Sequence, residues 1–298
     1  METIESLRRR INSTEDLHSV VRTMKALAAV NIRQYERAVE SLAEYNRAVE
    51  MGFQVLLKQK YKGITMAKPA LSERLGGIVF GSDQGMVGQF NEVIARYTAA
   101  ELEKQQVRQA NLILLAAGAR VSARLEEAGY PAEDYISLPG SVLAITPVVQ
   151  SVVLKIEMWR SQREIDKVLL FFNRPLSGAS YRPYTLQLLP VDLEWFQELE
   201  RRPWPCRAIP FFTMDWNGLF SRLVRQYLFV SLYRAFAESL ASENASRLAS
   251  MQVAERNVEN RLDELNAQYH QQRQGAIDAE LFDLVAGFEA LSGIAQET

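Results

Sequence analysis

AESLASENASRLASMQVAERNVENRLDELNAQY, residues 237–269, contains neither proline nor glycine. Ala237, Ala241, Ala245 and Ala249 make one ridge at four-residue spacing, and Ser242, Ser246 and Ser250 make a second beside it. Val258, Leu262, Leu265 and Tyr269 then continue at the alternating three-four spacing that keeps side chains on one helical face. Small residues let two helices approach closely, and the larger ones behind them read as a coiled-coil seam.

Outward from this stretch, proline decides the organisation, because inside a helix it removes a hydrogen bond and clashes with the preceding turn, at a cost of about 3 kcal/mol. All ten prolines lie between Pro69 and Pro210, leaving a proline-free arm at each end. In the last arm the seam shifts by one residue to Ile277, Leu281, Leu284, Phe288 and Leu291, the offset falling around Arg273 to Ala276. The first arm carries Val21, Met24, Ala28, Tyr35, Ala38, Leu42, Tyr45, Val49 and Leu56, interrupted at Asn31 and Gly52. At about 1.5 Å per residue, roughly 80 residues of C-terminal helix would reach about 120 Å, several times the diameter of a globule of this chain length. Such a helix is expected to serve as a lever, a spacer or an axle.

The centre alternates strand and helix. Leu75 to Phe80 is an apolar run leading into a glycine turn; Val87 to Leu102 reads as helix, Asn111 to Ala116 as strand and Ala119 to Ala128 as helix. A strand at Asp134 to Leu138, a helix from Ser141 to Trp159, and strands at Lys167 to Asn173 and Tyr181 to Leu189 follow. The pattern predicts an α/β sheet domain inserted between two helices. The expected boundaries are 1–65 for the first arm, 70–205 for the sheet domain and 212–298 for the last arm.

The 34 Lys and Arg nearly balance the 36 Asp and Glu, so no positive excess points to nucleic acid. A single cysteine, Cys206, allows no internal disulfide and fits a reducing compartment. No run of about 18 apolar residues suggests a span. The N-terminus METIESLRRRINS lacks the apolar core of a signal peptide. Any membrane connection is therefore expected to run through a partner.

The sequence carries little recognisable chemistry. Gly81 to Gly88 (GSDQGMVG) follows a strand and opens a helix, where phosphate loops sit, but it lacks the Gly-Lys-Ser/Thr ending of a P-loop and the G-x-G of a dinucleotide fingerprint. Glycines easing a tight turn are the better reading. His18 and His270 stand apart on helices without ligand-spaced partners in sequence, and Cys206 has no recognisable base. The acidic pairs Glu126-Glu127 and Asp263-Glu264 and the basic run Arg8-Arg9-Arg10 read as solvated faces. No catalytic, cofactor or metal residue is nominated.

Three segments carry a resemblance over nearly the whole chain. LRRRINSTEDLHSVVRTMKALAAVNI (7–32) is similar, at Thr23, Met24, Lys25, Ala26, Leu27, Ala28 and Ala29, to an Ala-Met-Lys-x-Val-Ala-Ala core that follows a basic start. GSDQGMVGQFN (81–91) resembles Ser-Asp-Arg-Gly-Leu-Cys-Gly-Gly-x-Asn, matching at Ser82, Asp83, Gly85, Gly88 and Asn91 and departing at Gln84, Val87 and Gln89. ESLASENASRLASMQVAERN (238–257) and YHQQRQGAIDAELFDLVAG (269–287) resemble the most specific C-terminal motifs of the same family, the gamma subunits of F-type ATP synthases. Ile209 to Met214 departs from the family's Tyr-x-Tyr-Glu-Pro, and Asp278 stands where Thr is common, while Glu280 matches.

The resemblance implies an α/β fold: a long antiparallel coiled coil of N- and C-terminal helices with an inserted Rossmann-like sheet domain forming a foot. It implies a non-catalytic rotor shaft, without cofactor, held by alpha and beta subunits, an epsilon subunit and a membrane c-ring, peripheral on the cytoplasmic face of a prokaryotic cell membrane. Met24, Lys25, Arg247, Arg273 and Gln274 match positions expected to contact beta subunits. A coiled-coil adaptor with an α/β head is the alternative from another class, and an α/β enzyme with dimerising arms a third.

Overall fold

The computed structural model describes residues 3–59, 74–176, 180–205, 208 and 210–294, and the side chains of the final helix as far as residue 286. In chain order the elements are α1 (Ile4–Lys58), β1 (Leu75–Phe80), α2 (Phe90–Lys104), β2 (Leu112–Ala117), α3 (Ala119–Glu127) and β3 (Asp134–Ile136). They continue with α4 (Val142–Arg163), β4 (Lys167–Pro175), β5 (Tyr181–Leu189), α5 (Leu193–Arg201) and α6 (Trp216–Ile294). The proline-free arms are helical over Ile4–Lys58 and Trp216–Ile294, and these helices contribute to two compact units, residues 28–249 and residues 1–27 with 250–298.

In the 28–249 unit the strands form one sheet in the order β3-β2-β1-β4-β5, parallel except for β5, which runs antiparallel to β4. Strands covered on both faces are apolar at successive positions, and β1, β2 and most of β4 follow that rule. Ile78, Phe80, Leu115, Ala117, Leu170 and Phe172 point to one face, into a core with Ile145, Val149, Ile156 and Trp159 of α4 and Leu232, Phe236 and Ala237 of α6. Leu75, Val79, Leu114, Ala116, Leu169 and Phe171 point to the other, against Ile94 and Leu102 of α2 and Val121 and Leu125 of α3. By length and composition α4 is apolar enough to cross a membrane, against the expectation that no such run occurs; its inner stripe is core of the sheet domain.

The sequence reading has no helix at Leu193–Arg201. Its signal is a cap: the Asp192 carboxylate accepts from the Glu194 N–H at 2.9 Å. Phe196 and Leu199 then pack with Val49, Phe53 and Leu57 of α1 and Val230 of α6. The two interruptions of the first seam also acquire reasons. Asn31 donates to Asn244 Oδ1 at 3.3 Å, and a Cβ on Gly52 would stand 2.7 Å from Leu223 Cδ2. Tyr45, expected in the seam, is instead 44% exposed, its hydroxyl donating to Gln226 Oε1 at 2.6 Å.

In the other unit the two helix segments pair antiparallel, since Leu7 and Ile11 pack with Leu262, Leu265 and Tyr269 while Lys25 meets Glu255. The shifted seam beyond Tyr269 behaves differently from expectation. Ile277, Leu281 and Leu284 are exposed, because α1 begins at Ile4 and offers them no facing turn among the described residues. Phe288 and Leu291 lie outside the described side chains.

Candidate functional site

The glycine turn lies within the 28–249 unit and is closed on itself. The Ser82 N–H donates to Asn91 Oδ1 at 2.9 Å, Asn91 Nδ2 to Ser82 Oγ at 2.8 Å, and Ser82 Oγ to the Gln84 carbonyl at 2.8 Å. Both carboxylate oxygens of Asp83 accept backbone N–H groups, from Ala119 at 2.9 Å and Leu138 at 2.7 Å. Gly118, at φ +116°, brings its backbone so near that a Cβ would sit 2.7 Å from the Ser82 carbonyl oxygen.

The turn is also fastened to α6. Ser246 Oγ donates to the Val87 carbonyl at 2.6 Å and Ser242 Oγ to the Asn173 carbonyl at 2.9 Å. The serine ridge read as a helix-helix surface therefore faces the sheet domain. Ser82, Asp83 and Asn91 are spent within the turn and its own domain, and Ser242 and Ser246 hold that domain to α6.

Arg247, one of the expected beta-subunit contacts, lies in the 28–249 unit. It is 9% exposed, and its Nη2 donates to Glu243 Oε1 at 2.6 Å, with both side chains nearly buried. Burial pushes the Glu243 carboxyl above the usual carboxylate range while Arg247 opposes the rise and Asp83 adds to it. Burial, with Glu243 behind it, also raises the Tyr35 phenol. In consequence this arginine braces one turn of α6 before it can meet anything else.

The other four nominees lie in the 1–27 and 250–298 unit. Met24 is half-buried, and Lys25 beside it forms a short ion pair with Glu255. That hydrogen bond holds the Glu255 carboxyl below its ordinary value, against a lesser effect of burial. Arg273 and Gln274 are exposed on α6, and their side chains make no ion pair or hydrogen bond among the described residues.

Among the described residues, most of the remaining candidates meet a near neighbour in sequence, with one exception. His270 is exposed with its ring edge-on to Tyr269, Arg124 pairs with Glu127, Arg261 with Glu264 and Arg9 with Glu5, and Cys206 lies outside the described residues. The exception is His18, whose Nε2 stands 3.5 Å from Glu259 Oε1 and close to Glu255. Sequence distance hides this grouping, since it joins opposite ends of the chain. An open groove of about 520 Å³ in the 28–249 unit is lined by Tyr45, Gln150, Val153, Leu154, Arg225, Gln226 and Phe229, a set without carboxylate, imidazole or thiol.

Comparison with known proteins supplies what the geometry leaves open. The model of the ATP synthase family matches residues 3–291. The ATP synthase gamma chain of Glaesserella parasuis serovar 5 is 26% identical over 296 residues, covering 98% of this chain and all of that one. The gamma chain of Polynucleobacter necessarius subsp. necessarius is 25% identical over 295 residues with the same coverage. Among solved structures, the rotor of the Euglena gracilis mitochondrial ATP synthase superposes with a TM-score of 0.63 at 14% identity, covering 92% of this chain and 98% of that one. The Tetrahymena thermophila central stalk and c-ring structure contains a chain matching at TM-score 0.54 and 20% identity, over 79% of this chain and 99% of that one. These structural likenesses speak for the fold.

Proposed function

The chain belongs to the ATP synthase family, and from that membership we propose that it is the gamma-type central shaft that couples rotation of a membrane c-ring to ATP synthesis or hydrolysis in an alpha/beta hexamer. The observation that carries the reading is the pair of long helices, Ile4–Lys58 and Trp216–Ile294, antiparallel to each other within the 1–27 and 250–298 unit, with a sheet domain between them in sequence. A shaft needs helices coupled along their length so that torque at one end is felt at the other. The seam residues and the Lys25–Glu255 pair supply that coupling in one unit; the Asn31–Asn244 contact and the aromatic cluster around Phe53 supply it in the other.

On this reading the chain has no active site of its own, and nucleotide chemistry belongs to the beta subunits. Residues 1–65 and 212–298 are the arms and 70–205 the foot. Its partners are the alpha and beta subunits, an epsilon subunit and the c-ring, and it meets the membrane through that complex at the cytoplasmic face. Met24, Lys25, Arg247, Arg273 and Gln274 are the beta-facing positions, Arg247 also bracing α6 through Glu243. An axle surface must exchange contacts as it turns, which suits exposed polar groups such as Arg273 and Gln274.

Coexpression with the alpha and beta subunits tests the assignment: the chain should copurify with a nucleotide-hydrolysing hexamer, whereas a free adaptor would not. Arg273→Ala with Gln274→Ala in the membrane complex should lower coupled ATP synthesis. Unchanged synthesis and hydrolysis would remove both residues from the mechanism while leaving the shaft assignment standing.

A further inference from the structure

Glu255 and Glu259 stand four residues apart on α6 and therefore on one helical face, and the facing turn of α1 places His18 against both. One ligand atom from each, an imidazole nitrogen and two carboxylate oxygens, lies within 4.8 Å of the others. The His18 Nε2 atom is sequestered from solvent and has no hydrogen-bond partner, although Glu259 Oε1 is 3.5 Å away. With the imidazole neutral, that ring nitrogen and the two carboxylates present three metal-ligand atoms to one point.

We propose that His18, Glu255 and Glu259 bind one divalent cation of the zinc class and that the cation staples α1 to α6 within the 1–27 and 250–298 unit. Three protein ligands with a water in the fourth position make a tetrahedral zinc site of the open kind. One imidazole among two oxygens favours zinc or its neighbours over magnesium or calcium, which prefer all-oxygen shells with more ligands. Lys25 is the built-in competitor: its ammonium occupies Glu255 Oε2, leaving the other oxygen of that carboxylate for a metal. The site thus has two ways of tying the helices, an ammonium at one carboxylate or a metal across both. It stands independently of the shaft reading.

The test uses the full-length chain with Cys206→Ser, which removes the sole thiol and leaves His18 and His270 as the two imidazoles. Titration with Zn²⁺ alone by calorimetry, and with Co²⁺ by visible absorption, should show one saturable site and a rise in melting temperature. His18→Ala should weaken binding by more than about tenfold and abolish the rise, a loss at least as large as that from removing a metal's outer-shell support. His270→Ala should bind as the parent does, and Lys25→Met should bind more tightly. Helicity of each metal-free variant by circular dichroism separates a lost ligand from a lost fold. Absence of saturable binding, undiminished affinity in His18→Ala, loss in His270→Ala, or weaker binding in Lys25→Met would each overturn the proposal.

Discussion

Between Leu228 and Ala245, helix α6 buries a side chain on nearly every turn, whereas Ile277, Leu281, Phe282, Leu284 and Val285 of the same helix are all exposed. Both stretches carry apolar residues at three-four spacing. The difference is supplied by neighbours: Phe236 meets the sheet through Phe80, at a ring separation of 4.7 Å, while the later residues face no turn of α1 among the described residues. Periodicity thus fixes which side chains share a face and leaves open whether that face is covered. A partner outside the chain is what the shaft reading supplies for the second stretch.

The comparison breaks most sharply at its two phenylalanines. Phe236→Ala should cost about 3–5 kcal/mol in chemical denaturation of the isolated chain, by lost burial and a residual cavity. Phe282→Ala should stay within about 0.5 kcal/mol, as exposed substitutions do; a large effect there would mean that the last turns are covered in the free chain. Next, Arg247→Ala should cost about 3 kcal/mol by leaving Glu243 buried without its cation. Replacing the pair together, Glu243→Leu with Arg247→Met, should recover most of that loss, which would mark the arginine as a brace.

A smaller effect tests the fastening of the sheet domain. Ser246→Ala removes the bond to the Val87 carbonyl and should cost about 1 kcal/mol, seen as a shifted denaturation midpoint. The smallest concerns Lys25 and Glu255. Because the folded carboxyl lies below its unfolded value, its contribution is present at neutral pH and is lost as pH falls through the folded value. Glu255→Gln should therefore lower the melting temperature modestly at neutral pH, and parent and variant should converge in acid.

Much of the architecture was legible because it rests on local rules. Leu75–Phe80 and Tyr181–Leu189 have the bounds their apolar runs and breakers predict. The short helix Leu193–Arg201 escaped because its nine residues carry only Phe196 and Leu199 as buried signal, beside a cap at Asp192 that is easily passed over. Gly52 read as a defect in the seam, although Leu223 packs against its missing side chain. Among the nominated contacts, Met24, Lys25, Arg273 and Gln274 came from motif matching, and the same matching made no distinction between them and the nearly buried Arg247.

By itself the sequence determined two helical arms, an α/β centre and membership of the family, since proline placement, residue period and motif order are properties of the chain read locally. Tertiary structure alone decided which face of each ridge is used, that Ser242 and Ser246 clasp the sheet domain, and that His18 meets Glu255 and Glu259. Those outcomes join residues more than 70 positions apart in most cases, and pairings at that distance depend on which surfaces the folded backbone brings together, a choice that no local period encodes.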